Sequence, residues 1–378
     1  MIYLDNSATT KPYKEVLQTY QTVADKYFAN PSSVHGLGGT SEQLLLQSRN
    51  RCADLLQVKP SEVVFTSGGT EGNNIAIKGI ALEHQSRGKH LITTEIEHPS
   101  VYESFQQLES LGFDVTYLPV NEKGLVSIQE LESAIRNDTI LVSIMHVNNE
   151  LGTVQPIFEI AKLLKYYPKV FFHVDHVQGL SKVPLKLHNV DLCTISGHKI
   201  HGVKGSGILY VREGVRLSSL FTGGEQELKV RAGTENLPAV AAITKALRLS
   251  FQQAESCLST IGQLKLQLME SLNKMDGIIV NTPTEDSAPH IVNFSAVGIK
   301  PEVLIHSLEK FDIYVSTKSA CSSKLVDASK VLLAAGLGTE RATSAIRVSM
   351  SFDTTKEDII EFLNALNSVL PKLQKVMR

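Results

Sequence analysis

Seven short apolar runs recur along the chain up to residue 211: EVVFTS (62–67), HLITTEI, DVTYLPV, ILVSIMHV, VFFHVDHV, DLCTIS and GILYV. As far as VFFHVDHV they alternate with helical patterns such as VYESFQQLESL and IFEIAKLLKYY. Short runs that are apolar throughout suit strands buried on both faces. Their alternation with helices predicts an α/β fold, with a mostly parallel seven-stranded sheet flanked by helices. Helical patterns at roughly 14–28 and 40–57 precede the first strand.

Near residue 237 the pattern changes to one long helical stretch running to about residue 275. Beyond about residue 255 the elements are shorter and mixed, with strand-like IVNFSAV and AIRVSMS and helical PEVLIHSLEKF and EDIIEFLNALNSVLPKLQKV, so a smaller α+β domain is expected there. A chain of 378 residues has length for two or three domains of about 150 residues each.

Lys and Arg number 37 against 39 Asp and Glu, a formal net charge of -2. No general field draws such a chain to nucleic acid or anionic lipid, so a charged ligand needs a local site. No apolar run approaches the roughly 18 residues that span a bilayer, and MIYLDNSATT lacks the basic-then-apolar pattern of a signal peptide. A cytoplasmic protein with no membrane partner is expected. Cys52, Cys193, Cys257 and Cys321 form no CxxC pair, which argues against a zinc site and for free thiols.

In parallel sheets ligands bind beyond the carboxyl ends of the strands. After the first run come Gly68, Gly69 and Thr70 at a helix start, where free N–H groups suit a phosphate. Asp175 and Gln178 follow the fifth run, and Ser196, His198 and Lys199 follow the sixth. Taken singly, each has a plain structural reading: glycine punctuation, a helix N-cap, a solvated lysine. Together they supply a phosphate cradle, an acid for a ring nitrogen and an amine for an aldehyde, the requirements of pyridoxal phosphate.

The stretches YLDNSATT, NPSSVHGLG, FTSGGTEGNNIAI, TEIEHPSV, MHVNNELGTVQPI, HVDHVQG, SGHKIHG, RAGTENLPAVAA, KSACSS and SAIRVSMS occur in the order found in the cysteine desulfurases. The chain closely resembles that family of class V, fold-type I pyridoxal phosphate enzymes from residue 3 to about residue 353. The resemblance implies a large cofactor domain over residues 16–255 and a small domain made of residues 1–15 and 256–378. It implies that Lys199 holds the cofactor covalently, that Asp175 pairs with the ring nitrogen and that Gln178 bonds the phenolic oxygen. His98 stacks on the ring, and Asn149 lies beside cofactor and substrate. Thr70, Ser196 and His198 hold the phosphate with the Gly69 backbone, and Thr234 reaches the site of the neighbouring subunit, which implies a homodimer. Arg347 matches the arginine that binds the substrate carboxylate, a task suited to a two-pronged donor.

Cys321 lies in the Ser-rich stretch STKSACSSK, whereas Cys193 sits in an apolar strand and Cys52 and Cys257 in helical patterns that suit packing. The resemblance implies that Cys321 attacks the sulfur of L-cysteine, leaving a persulfide and L-alanine, with His98 carrying a proton and Lys199 as base. The sulfur then passes to an acceptor protein, an iron-sulfur cluster scaffold or a tRNA-thiolating enzyme, without direct contact to nucleic acid. Lys318, His176 and Val203 depart from the family pattern, and SMSFDTT after Arg347 lacks a second arginine. A selenocysteine lyase, a class V aminotransferase that would not need Cys321, and a catalytically silent sulfur-carrier scaffold are the competing expectations.

Overall fold

The computed structural model describes residues 1–317 and 328–376. In chain order the first part holds β1 (Ile2–Tyr3), α1 (Lys14–Lys26), α2 (Gly36–Leu56), β2 (Val63–Thr66), α3 (Gly69–His84), β3 (His90–Thr94), α4 (Pro99–Ser110) and β4 (Asp114–Leu118). There follow α5 (Ile128–Ala134), β5 (Thr139–Met145), α6 (Ile157–Leu164), β6 (Phe171–Asp175), β7 (Leu192–Ser196) and β8 (Gly207–Val211). The seven strands β2 to β8 make one sheet in the order β2-β8-β7-β6-β5-β3-β4. Every residue of β2, β3, β5, β7 and β8 is buried, as their unbroken apolar runs require.

Pairings among β3, β4, β5, β6 and β7 are parallel. The strand β8 runs antiparallel to both of its neighbours. Its direction follows from the connection: residues 197–206 carry no crossover helix, and a parallel return needs a dozen or more residues. Helices α1, α2, α6 and the first half of α7 (Leu237–Leu272) cover one face, while α3 and α4 cover the other.

The remaining elements are β9 (Ile278–Val280), β10 (Ile291–Ala296), α8 (Pro301–Glu309), β11 (Ile313–Tyr314), α9 (Lys330–Ala334), α10 (Thr339–Ala342), β12 (Ala345–Ser349) and α11 (Lys356–Val376). An antiparallel sheet β12-β10-β9 packs with α8, α11 and the second half of α7 around a separate core that includes Leu268, Phe294 and Phe362. The 36-residue α7 belongs to both cores, Val240 to Leu247 in the first and Ala254 to Leu272 in the second. The N-terminus ties the two together. β1 pairs with β11, Ser7 N–H donates to Ser349 Oγ at 2.8 Å, and Thr10 N–H donates to the His198 carbonyl at 2.8 Å. Among the described residues no helix is long and apolar enough to cross a membrane.

Candidate active site

The carboxyl ends of β2, β5, β6 and β7 converge on a cavity of about 160 Å³. Ten residues singled out in the sequence line it: Gly69, Thr70, His98, Asn149, Asp175, Gln178, Ser196, His198, Lys199 and Arg347. At its phosphate-like end the backbone leaves β2 and turns into α3 through Gly68, whose φ of 153° and ψ of −175° suit glycine alone. A Cβ on Gly69 would stand 3.0 Å from the Val177 side chain, so glycine keeps this end open. The hydroxyl of Ser196 is buried there without a partner, beside the free N–H groups that begin α3. An anionic group with several acceptor oxygens satisfies both.

Opposite this cradle, Asp175 ends β6. Its Oδ1 accepts from Val177 N–H at 3.0 Å, and its Oδ2 from the Asn73 amide at 2.8 Å. The Lys199 ammonium, on the turn after β7, donates to the Ser7 carbonyl and to the Ala8 carbonyl, the latter at 2.8 Å. The Gln178 amide also donates to Ser7 O, at 2.9 Å. His98 caps α4, its Nδ1 accepting from Ser100 N–H at 3.1 Å. That bond puts the single proton of the neutral ring on Nε2. Burial, with the Lys199 charge, holds His98 below its ordinary value against the opposing pull of Asp175. His198, 3.2 Å from the Thr9 hydroxyl, is lowered to about 4 by burial and by the charges of Lys199 and Lys204.

Arg347 is 1% exposed on β12. It donates to the Asn149 carbonyl at 2.8 Å, to Asp5 Oδ1 at 2.9 Å and to Ser316 Oγ at 2.8 Å, and its Nε–H is buried without a partner. Thr234 stands apart, exposed on the segment before α7, and does not line the cavity of its own chain. Cys321 and Lys318 lie outside the described residues. Cys52 and Cys193 are buried free thiols, Cys52 pushed up to about 11 and Cys193 well above its ordinary value by burial. His176 turns away from the cavity, its Nδ1 2.8 Å from Nδ1 of His146, joining the residues that follow β6 and β5.

Sequence reasoning missed Asn73, Ser7, Ala8 and Asp5. Asn73 carried a readable signal, three residues after Thr70 and so on the same helix face. Ser7 and Ala8 act through carbonyls, which no side-chain pattern reveals.

The fold and the cavity together define a fold-type I enzyme of the class V aminotransferases, a pyridoxal phosphate-dependent family, and the model described as aminotransferase class-V matches residues 2–362. Within that class the chain belongs to the cysteine desulfurases. It is 46% identical over 380 residues to a NifS/IcsS protein homolog of Lactobacillus delbrueckii subsp. bulgaricus, covering 100% of this chain and 99% of the relative. Over 377 residues it is 42% identical to the cysteine desulfurase IscS of Methanosarcina thermophila, covering 99% and 93%. Among solved structures, a NifS-like protein superposes with a TM-score of 0.93 at 35% identity, covering 98% of this chain and 100% of the other. SspA in complex with cysteine superposes with a TM-score of 0.81 at 34% identity, covering 93% and 99%.

Proposed function

We propose that the chain is a pyridoxal 5'-phosphate-dependent cysteine desulfurase that moves sulfur from L-cysteine onto Cys321 and releases L-alanine. The observation that carries this reading is the cavity itself, which joins the Lys199 amine, the Asp175 carboxylate and the unpartnered Ser196 hydroxyl at the start of α3. Those residues fit the cofactor: Ser196, Thr70, His198 and the Gly69 backbone for phosphate, Asp175 for the ring nitrogen, Gln178 and Asn149 at the ring edge, His98 over its face and Lys199 for the aldehyde. When bound, the cofactor supplies an electron sink that labilises bonds at the substrate's α-carbon.

Arg347 receives the substrate carboxylate through its unpartnered Nε–H and remaining donors, a geometry that aligns the α-carbon. Lys199, once its amine is free of the cofactor, takes the α-proton. His98, with its proton on Nε2, carries a proton at that atom. Cys321 Sγ forms a bond to the substrate sulfur as the substrate's Cβ–S bond breaks, which leaves a persulfide on the chain and, after protonation, alanine. A thiol of ordinary acidity is only a few per cent ionised near neutral pH, so attack needs help in losing its proton.

In this reading residues 16–255 form the cofactor platform, while residues 1–15 and 256–378 form the small domain that brings Arg347 and Cys321 to it. A second copy completes each phosphate site with Thr234. The sulfur goes to a cluster scaffold, as the IscS and NifS names of the relatives suggest, or to a tRNA-thiolating enzyme, in the reducing cytoplasm that a chain without CxxC pairs suits.

The test is turnover of L-cysteine by protein loaded with cofactor, reading alanine, sulfide and persulfide. Lys199→Ala should lose the visible absorption band and turnover together. Cys321→Ser should keep the band and lose the persulfide. Sulfide release by Cys321→Ser at the wild-type rate would overturn the sulfur-carrier role.

A further inference from the structure

Glu97, one residue before His98, is 7% exposed. Its Oε1 accepts twice, from the Thr94 hydroxyl at 2.8 Å and from Met145 N–H at 2.9 Å. Its Oε2 is buried with no partner. This is the pattern of a carbonyl oxygen and a hydroxyl: an ionised carboxylate spreads its charge over both oxygens, and leaving one bare in the interior is far costlier than burying a neutral acid. Thr94 ends β3 and Met145 ends β5, so Oε1 joins the tips of two strands to the segment that carries His98. Beside this contact the Asn148 amide donates to the Ile96 carbonyl at 3.1 Å.

We infer that Glu97 is held as a neutral carboxylic acid with its proton on Oε2, and that in this form it is a positioning residue, locking the His98 segment onto the end of β5. Its surroundings agree. Burial pushes Glu97 up to about 8 against the downward pull of the Met145 and Thr94 hydrogen bonds, and the Asp175 carboxylate at the end of β6 adds a smaller upward push. His146, which follows Met145, is lowered to about 4, and His98 is lowered as well, so both neighbouring imidazoles are neutral. The cavity-facing consequence is a fixed His98 above Asp175, a part of the inference that rests on the proposed function. The protonation state of Glu97 does not.

The test uses full-length protein and Glu97→Gln, a neutral isostere that keeps the Oε1 acceptor. In the infrared difference spectrum between the two, the carbonyl stretch of a protonated carboxylic acid is expected in the wild type and absent in the variant; its absence from both overturns the neutral acid. A group protonated in the fold and ionised in the unfolded chain withdraws stability as pH rises. The melting temperature of Glu97→Gln should therefore gain on that of the wild type between about pH 5 and about pH 8, and a difference that does not change with pH overturns the inference. For positioning, Glu97→Gln should keep the wild-type kcat and visible band. Glu97→Ala should lower kcat by about tenfold, an interaction loss of about 1.4 kcal/mol, and shift the band. An unaltered Glu97→Ala, or a Glu97→Gln as impaired as Glu97→Ala, overturns the positioning role. The infrared and melting arms need no cofactor, so they separate failure of the neutral acid from failure of the desulfurase reading, which a wild type without any cofactor band would mark.

Discussion

One amide connects Asp175 to His98: Asn73 Nδ2 donates to Asp175 Oδ2 at 2.8 Å and to the Ser100 hydroxyl at 2.9 Å, and that hydroxyl lies 2.8 Å from His98 Nδ1. The carboxylate and the imidazole, which both line the cavity, therefore share a fixed relay. Asn73→Ala should fold and lose about tenfold in kcat/KM, the scale of one hydrogen bond to a charged group. Asn73→Asp should lose more, because two carboxylates at that distance cannot both ionise, and the loss should shrink as pH falls. Steady-state kinetics across pH check both.

The cradle depends on a strand that never touches the cavity. A Cβ on Gly207, in β8, would stand 2.7 Å from Gly68 Cα and 2.6 Å from Thr66 Oγ1. The nearest obstacle on the Gly68 side is backbone, which cannot rotate away. Gly207→Ala should raise the dissociation constant of the phosphorylated cofactor by about tenfold, or about 1.4 kcal/mol, as measured by titration of the visible band. Unchanged affinity would show that the turn at Gly68 is not what holds the phosphate.

Several imidazoles are buried neutral. Burial lowers His146 to about 4 and His173 to about 3, and burial with nearby lysines lowers His198 to about 4. Both nitrogens of His173 are occupied, by the Ser143 hydroxyl at 2.8 Å and the Thr194 hydroxyl at 2.9 Å. Between these values and about 6.5 the unfolded chain binds more protons than the fold, so stability rises with pH and is lost as pH falls below about 6.5. Glu97 acts in the opposite sense, one group against several, since burial also holds His176 and His290 well below the ordinary value. The urea midpoint should drop from about pH 6.5 to about pH 5, and a midpoint flat over that window would contradict the burial of these rings.

Buried Arg347 pairs with half-buried Asp5 at 2.9 Å, their side chains 1% and 20% exposed. Asp5→Asn should lower KM for cysteine, since more of the guanidinium charge is left for the substrate carboxylate. It should also lower the melting temperature, because a buried charge loses its partner. Arg347→Lys should raise KM by more than kcat falls, as a point charge replaces a planar fork. A changed kcat with an unchanged KM would place Arg347 outside substrate binding.

Much of this site was legible because the hydrophobic pattern is local. Asp175 and Lys199 are polar residues at the ends of apolar runs, and a reader of strand ends meets them directly. Asn73 was less visible, one polar residue in a helix that has several. Arg347 was legible but its partner Asp5 was not, the two being 342 residues apart. For Glu97, sequence shows a carboxylate beside a histidine and gives no sign that one of its oxygens is stranded.

Sequence by itself determined the identity of the elements and the kinds of side chain at each strand end, because backbone preference and burial pattern are properties of neighbouring residues. Tertiary structure alone decided that Ser7 and Ala8 meet Lys199, and which acids and imidazoles are neutral. Those depend on desolvation and on groups brought together from distant parts of the chain. A pattern of neighbours cannot carry that information, since the free energy of a charge is set by what surrounds it in space.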